Sequence, residues 1–242
     1  MERLDKVLSN LGYGSRKEIK LLMKNGEVEV DNQVIKDSSI KVDPEKSLIK
    51  VSGEEINYRK YVYIMMNKPA GVVSATFDNY DETVIDLLDY EDGVFNPFPV
   101  GRLDKDTEGL LLITNDGTLN HRLTSPKWHV DKLYYAEIDK SLGEEDIEAF
   151  EKGIVLDDEY KCLPAKLEII KTDKDGSEVK VTIQEGKYHQ VKRMFESLGK
   201  NVIYLKRIRM GNLILDKNLD LGEYRELSQK ELLELKNMLE ME

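Results

Sequence analysis

The chain has 242 residues, of which 40% are hydrophobic and 34% are charged, and its formal net charge is −11. This length leaves room for two domains, and the composition is typical of a folded protein rather than a disordered or membrane-spanning one. The single cysteine, Cys162, excludes a disulfide or a thiolate zinc site within one chain, and the three histidines lack metal-ligand spacing.

Two short helices are predicted at the start of the chain. The first has apolar residues at helical spacing and ends before two glycines (Leu4, Val7, Leu8, Leu11, then Gly12 and Gly14). The string Ser-Arg-Lys-Glu at 15–18 predicts a capping box that opens the second helix, and Gly26 follows its end. Three lysines recur at i, i+3 and i+7 of that helix and share one face: Lys17, Lys20 and Lys24.

A β-hairpin is predicted next, with strands at 28–30 and 33–35 around an Asp-Asn turn. Two helices and a hairpin, rich in lysine, resemble the small RNA-binding module first described in a ribosomal small-subunit protein. We therefore expect an RNA-binding domain at residues 1–57 and a linker at 58–61. The alternative is a basic surface that is merely solvated.

The remainder, residues 62–242, alternates strands and turns with scattered helices, which predicts an α+β domain with a mixed, mainly antiparallel sheet flanked by helices. Helices are predicted near 83–88, 144–151 and 191–198, with a last one capped by Ser228. Strands are predicted near 61–66, 110–113, 133–138, 163–170, 179–184 and 202–208.

The string at 101–112, Gly-Arg-Leu-Asp-Lys-Asp-Thr-Glu-Gly-Leu-Leu-Leu, places charged residues directly before an apolar run. Such a run, closed by Asn-Asp-Gly at 115–117, predicts a buried strand that ends in a tight turn. Asp104 then lies in a loop anchored on a rigid sheet, where catalytic groups tend to occur. Its alternative role is to cap a turn.

This string resembles the signature of pseudouridine synthases, in which the corresponding aspartate is the catalytic nucleophile. The Lys-Pro-x-Gly turn at 68–71 and the Lys-x-Tyr string at 132–134 are also similar to family motifs. So are Leu-Asn-His-Arg-Leu-Thr-Ser-Pro at 119–126 and Glu-Gly-Lys-Tyr-His-Gln-Val-Lys-Arg-Met-Phe at 185–195. The last string is most similar to the bacterial small-subunit rRNA type, commonly called RsuA.

The resemblance implies roles for further residues. Lys192 aligns with the basic partner of the aspartate, which is usually arginine, and Arg193 beside it could share that work. Tyr134 aligns with the active-site tyrosine that stacks on the uracil, whereas Tyr135 should face the other way because adjacent strand residues alternate. The flipped-out nucleotide would be held by Arg102, His189 and Gln190, although Arg102 could instead pair with Asp106.

Basic side chains cluster in two segments although the net charge of the chain is negative. Residues 1–24 contain six basic and three acidic side chains, and residues 187–209 contain seven basic and one acidic. Local surfaces contact phosphates because salt screens charges beyond about 10 Å. The basic residues expected to contact RNA are Arg3, Arg16, Lys17, Lys20, Lys24, Arg102, Lys187, Arg193 and Arg207.

The function implied by the resemblance is isomerisation of one uridine in small-subunit (16S) rRNA, uridine 516, in free rRNA or in an assembly intermediate. The reaction needs neither a metal nor a small-molecule cofactor. Since no apolar stretch is long enough to span a bilayer or begin a signal peptide, we expect a cytoplasmic monomer without membrane contact. Two alternatives are a synthase for a large-subunit uridine and a non-catalytic RNA-binding protein of ribosome assembly.

Overall fold

A computed structural model of the chain describes residues 1–56 and 58–241 and divides them into two compact units. The first unit comprises residues 1–62 and 89–97, and the second comprises residues 63–88 and the chain from residue 98 onward. No sequence pattern pointed to the packing of 89–97 with the first unit. Residue 57, the last of the expected RNA-binding domain, lies outside the described residues, and the expected boundary stays a prediction.

The first unit packs its helices on small antiparallel sheets. Its helices are α1 (Leu4–Asn10), α2 (Arg16–Asn25) and α3 (Tyr90–Gly93). Its strands are β1 (Glu2–Arg3), β2 (Val28–Val30), β3 (Gln33–Val34), β4 (Lys41–Val42), β5 (Ile49–Val51) and β6 (Glu54–Glu55). The larger sheet has the order β3-β2-β5-β6, and β1 pairs with β4.

The helix boundaries and hairpin predicted for this unit are confirmed. The Ser15 and Glu18 side chains form the reciprocal capping box at the start of α2, and Gly26 ends the helix in a left-handed conformation. Asp31 and Asn32 both have positive φ, which suits the tight turn between β2 and β3. Apolar residues of α1, α2, β2 and β5 form the core of the unit.

The second unit is built on one large sheet, nine-stranded among the described residues. Its strands are β7 (Tyr63–Lys68), β8 (Phe98–Pro99), β9 (Glu108–Thr114), β10 (Lys132–Ile138), β11 (Lys166–Asp173), β12 (Gly176–Ile183), β13 (Val202–Met210), β14 (Leu213–Ile214) and β15 (Tyr224–Glu226). The order is β11-β12-β10-β13-β9-β7-β15, with β14 beside β13 and β8 beside β9. Only the β13–β9 pair is parallel among these described strands, so the expected α+β class with a mixed, mainly antiparallel sheet is confirmed.

The helices of this unit are α4 (Gly117–Thr124), α5 (Glu144–Lys152), α6 (Gln190–Glu196) and α7 (Gln229–Met238), with a 3-10 turn at Pro126–Trp128. The helix expected near 83–88 is wrong. Thr83 instead bridges to Val73, and its backbone N–H and hydroxyl both donate to Asp86, so the segment forms consecutive turns. The tight turn expected at 115–117 leads directly into α4, whose first N–H groups donate to the Asp116 side chain.

Gly109 lets β9 and β13 lie side by side. Its φ is +101°, and a Cβ atom there would lie 2.2 Å from the carbonyl oxygen of Arg207. We expect Gly109→Ala to lower the free energy of unfolding by more than about 2 kcal/mol. Gly117→Ala, in open space at the first turn of α4, is the matched control and should change it by less than about 1 kcal/mol. Equal denaturant midpoints for the two variants would contradict this packing.

Candidate active site

The buried ammonium group of Lys68 holds the loop between β8 and β9. Lys68 is fully buried at the end of β7, and its Nζ donates to four backbone carbonyls. Three belong to the loop, those of Asp104 at 3.2 Å, Lys105 at 3.3 Å and Thr107 at 3.0 Å, and the fourth is that of Pro69 at 3.0 Å. A charged group in the interior requires such partners, so the loop conformation is tied to this one side chain.

Two further residues after β7 fix the same loop. The backbone N–H of Gly71 donates to the carbonyl of Lys105 at 2.7 Å. The hydroxyl of Ser74 donates to the carbonyl of Leu103 at 3.0 Å and accepts from the N–H of Leu103 at 3.1 Å. The segment with the Lys-Pro-x-Gly turn is therefore the base on which the loop rests.

Asp104 projects from this loop with 28% of its side chain exposed, between two basic groups. His189 Nε2 lies 3.6 Å from Asp104 Oδ1, and Lys192 Nζ lies 3.8 Å from Asp104 Oδ2. Both distances exceed those of good hydrogen bonds. Lys192 donates instead to Asp106 Oδ1 at 2.5 Å. Asp104 is thus close to two basic groups, and neither forms a close hydrogen bond with its carboxylate.

Asp106 takes the hydrogen bond that could otherwise have restrained Asp104. Partial burial raises the pKa of Asp106, but the hydrogen bond and charge of Lys192, with the charge of His189, bring the pKa below its ordinary value. Asp106 is therefore a stable anion that positions Lys192.

Of the two adjacent basic residues, only Lys192 lies beside Asp104 in the structure. Arg193 forms ion pairs with Asp157 and with Asp158, the latter at 2.8 Å. Arg102 is exposed, and within residues 1–56 and 58–241 it makes no salt bridge, so the alternative pairing with Asp106 is not observed. Its side chain borders the same cavities as Tyr134.

Tyr134 lies on the buried face of β10, opposite Val181 of β12 and Arg207 of β13. Its ring is 7% exposed and lines a small cavity of about 60 Å³ that also contains Asp104, His189 and Leu205. Tyr135 faces the other side of the sheet, where its hydroxyl donates to Glu178 at 3.0 Å. The two tyrosines therefore alternate as the sequence predicted, with Tyr134 at the site.

The 185–193 segment shapes the opposite wall. His189 adopts a left-handed conformation (φ 48°) directly before α6, and its ring stacks on Tyr188. Gln190 is buried; its Nε2 donates to Glu185 Oε2 at 2.9 Å, and its Oε1 accepts from the N–H of Lys187 at 3.0 Å. Left-handed non-glycine residues are uncommon and occur often at functional sites. Gln190 thus braces this wall, and its predicted RNA contact stays a prediction.

The other residues predicted to contact RNA differ in exposure. Those of α2 are exposed in the first unit (Arg16, Lys17, Lys20 and Lys24). Arg3 is exposed and forms an ion pair with Asp5 at 2.8 Å. Lys187 is exposed over the ring of Tyr160. Arg207 is only 2% exposed and donates from Nε to the carbonyl of Leu110 at 2.8 Å.

Sequence reasoning missed three buried polar groups around the site: Lys68, Ser74 and Lys132. The Lys-Pro-x-Gly string was the available signal for Lys68, and Lys-x-Tyr was the signal for Lys132. Neither string tells which carbonyl groups the lysines contact. Among the helices described, none is both long and apolar enough to cross a membrane.

Two family models match the chain. Residues 62–197 match the model of RNA pseudouridylate synthase, and residues 2–48 match that of the S4 domain. A solved structure described as a pseudouridylate synthase superposes with a TM-score of 0.68 and 36% identity, covering 97% of this chain and 100% of that one.

Three curated relatives cover nearly the whole chain. The chain is 52% identical to the uncharacterized RNA pseudouridine synthase YtzG of Bacillus subtilis, over 95% of this chain and 96% of the relative. It is 45% identical to ribosomal small subunit pseudouridine synthase A of Vibrio cholerae, over 95% and 97%. It is 38% identical to ribosomal large subunit pseudouridine synthase B of Bacillus subtilis, over 98% and 96%.

The buried lysines predict a rise of stability with pH. Burial lowers the pKa of Lys68 and of Lys132 to about 8, against 10.5 for an ordinary lysine. Above pH 8 the unfolded chain therefore binds more protons than the folded one, and unfolding becomes less favourable. We expect the free energy of unfolding to rise by about 1 kcal/mol or more between pH 7.5 and 9.5.

Denaturant titrations at the two pH values measure this rise. It should be smaller in Lys132→Met, because one of the two titrating groups is gone. Lys152→Met, which replaces an exposed lysine of α5, should keep the full rise. If the free energy of unfolding of the unsubstituted chain stayed constant or fell between the two pH values, the lowered pKa values of the buried lysines would be refuted.

Proposed function

Because the chain belongs to the RNA pseudouridylate synthase family and is therefore an isomerase, we propose that it converts one uridine of 16S rRNA, uridine 516, to pseudouridine. The observation that carries this proposal is the state of Asp104, which lies near two basic groups without being fixed by either. The relative named as a small-subunit synthase supports the proposed substrate. Free 16S rRNA or a small-subunit assembly intermediate is the substrate, and the protein acts as a cytoplasmic monomer without a small-molecule cofactor.

In the proposed reaction Asp104 is the nucleophile. Lys192 Nζ lies 3.8 Å from the Asp104 carboxylate and places a positive charge beside it. The carboxylate bonds to C1′ of the ribose as the N-glycosidic bond of the target uridine breaks, and the uracil rotates while held. Carbon 5 then bonds to C1′ and displaces the carboxylate, and the proton on carbon 5 is lost as nitrogen 1 gains one. Atoms and electrons balance without an oxidant or a reductant, since substrate and product are isomers.

Tyr134 and the opposite wall hold the base. A uridine within folded RNA must be flipped out before Asp104 can reach it. The Tyr134 ring is placed to stack on the flipped uracil, and such stacking is worth roughly 1–3 kcal/mol per base. Its hydroxyl serves the proton transfer from carbon 5. Arg102 and His189 border the cavity and hold the extruded nucleotide.

The large-subunit alternative differs in substrate rather than in chemistry. A large-subunit synthase is 38% identical to this chain, so overall similarity does not separate the two. His189 favours the small-subunit assignment, because the large-subunit type tends to carry another residue there. The non-catalytic alternative is disfavoured because Asp104 and Tyr134 line one cavity and Lys192 Nζ lies 3.8 Å from Asp104.

Mapping of pseudouridines in rRNA tests the assignment. Cells without this gene should lack pseudouridine at position 516, and the unsubstituted gene should restore it. Asp104→Asn should fold normally, and its rate of isomerisation should fall at least roughly a thousandfold, because an amide cannot act as an anionic nucleophile. Asp175→Asn, which removes an exposed carboxylate from the turn between β11 and β12, is the control and should keep nearly the full rate.

Three outcomes would overturn these assignments. Activity of Asp104→Asn above a tenth of normal would refute the nucleophile. A missing pseudouridine in large-subunit rRNA alone would establish the alternative substrate. Unchanged rRNA after loss of the gene would leave the non-catalytic alternative.

A second prediction concerns the exposed lysine face of α2, formed by Lys17, Lys20 and Lys24. Changing all three to Gln should weaken rRNA binding and make the slope of log affinity against log salt shallower by about 2, because fewer counterions are released. A matched control changes three exposed lysines of the second unit to Gln (Lys152, Lys166 and Lys171). Equal slopes for the two triple variants would mean that the α2 face is only solvated.

A further inference from the structure

A second cavity of about 400 Å³ adjoins the one that contains Asp104. The two cavities share four lining residues: Arg102, Tyr134, Gly186 and Lys187. A nucleotide at Asp104 therefore has neighbours in the RNA strand within reach of the larger cavity. The side chains that line the larger cavity indicate which group it can bind.

Two buried cations line this larger cavity. Arg207 is 2% exposed and Lys132 is 8% exposed. The Nη2 atom of Arg207 is buried and has no hydrogen-bond partner among the described residues. Lys132 Nζ donates to the carbonyls of Val130 at 2.8 Å and of Gln184 at 3.3 Å, which leaves one of its three donors. Burial and the nearby charge of Arg207 lower the pKa of Lys132 to about 8.

Neither cation has a carboxylate within salt-bridge distance in the described part of the chain. The acid in the cavity wall, Glu185, accepts hydrogen bonds from the Tyr160 hydroxyl, the Leu163 N–H and the Gln190 amide. Asp131 and Glu185 act on Lys132 only from beyond that distance, and buried cations without a direct ion pair are costly. An anion that entered the cavity would supply a direct negative partner and an acceptor for Arg207.

We infer that this cavity binds a backbone phosphate of the RNA next to the target uridine, through Arg207 and Lys132. The inference rests on the proposed function, because it takes the target uridine to lie at Asp104. The exposed basic side chains of Arg102 and Lys187 border the same cavity and attract the strand. Pro126, Leu163 and Met210 add apolar surface to the lining, with Met210 buried and the other two exposed.

Single neutral phosphates in a substrate RNA test the inference. Synthetic RNAs containing the target uridine would each carry one methylphosphonate, immediately 5′ of the uridine, immediately 3′ of it, or four nucleotides away. With the full-length enzyme, we expect one adjacent position to raise KM at least tenfold. The distant position should change KM less than twofold. An unchanged KM at both adjacent positions would overturn the inference.

Variants then assign the effect to the two cations. In Lys132→Gln the methylphosphonate penalty on KM should fall at least fivefold, because the group that responds to the charge is missing. Lys206→Gln, on the other face of β13, is the control and should keep the full penalty. Lys132→Arg and Arg207→Lys retain the charge and should retain most of the penalty, which separates a charge effect from loss of folding. If Lys132→Gln does not fold, a lost penalty in both charge-retaining variants, measured with folded protein, overturns the inference.

Two remaining outcomes are distinguishable. If the unsubstituted enzyme does not convert the unmodified RNA, the proposed function fails, and this inference with it. If it converts all methylphosphonate RNAs equally well but fails on an RNA that lacks a neighbouring base, the cavity holds a base and the phosphate assignment is overturned.

Discussion

One buried ammonium group determines where the Asp104 carboxylate, the proposed nucleophile, lies. Lys68 draws four carbonyl groups toward its Nζ, three of them from the loop that carries Asp104. Ionic hydrogen bonds to carbonyls offset the cost of burying that charge only while all of them are kept. The loop therefore has one favourable conformation, set by a residue at the end of a central strand. The Lys-Pro-x-Gly string thus has a physical role at a distance from the chemistry.

The loop also divides two tasks between its two aspartates. Asp106 accepts the close hydrogen bond from Lys192, whereas Asp104 has only the longer contacts with Lys192 and His189. A carboxylate locked in a bidentate pair would have to break it before attacking a ribose carbon. A carboxylate near a cation but outside hydrogen-bond distance has no such bond to break. Positioning of Lys192 by way of Asp106 provides this arrangement.

Local chemistry made much of the fold predictable. The capping boxes at Ser15 and Ser228 were confirmed because every atom involved lies within four residues. The alternation of Tyr134 and Tyr135 follows from strand geometry alone. Two predictions of secondary structure differed from the structure, for different reasons. Residues 83–88 have helical composition, but the Thr83 bridge to Val73 competes successfully. The start of α4 was taken for a turn because an Asn-Asp-Gly string suits both a turn and a helix cap.

Long-range contacts explain what could not be predicted at the site. Adjacent Lys192 and Arg193 are equivalent in sequence, and only the packing of α6 turns Arg193 toward Asp157 and Asp158. Arg207 was counted among surface bases because its neighbours are basic. The alternation of side chains along β13 decides which of these basic residues is buried. Arg207 is paired with Tyr134 of β10 and lies on the buried face, whereas Lys206 lies on the other face.

The exposed lysines of α2 and the buried pair of Arg207 and Lys132 differ in how strongly salt screens their charges. In the proposed reaction Asp104, Tyr134 and Lys192 act on the target uridine itself, so recognition of its neighbours has to come from other side chains. Exposed lysines on α2 are screened by salt and act on any phosphate. Arg207 and Lys132 are themselves buried in the wall of the larger cavity, where salt screens charges less, and in the proposed site they contact only a group that enters that cavity. The net charge of −11 keeps the general attraction to RNA modest, so in the proposed site selectivity rests on the buried cations and on the RNA strand that can reach them.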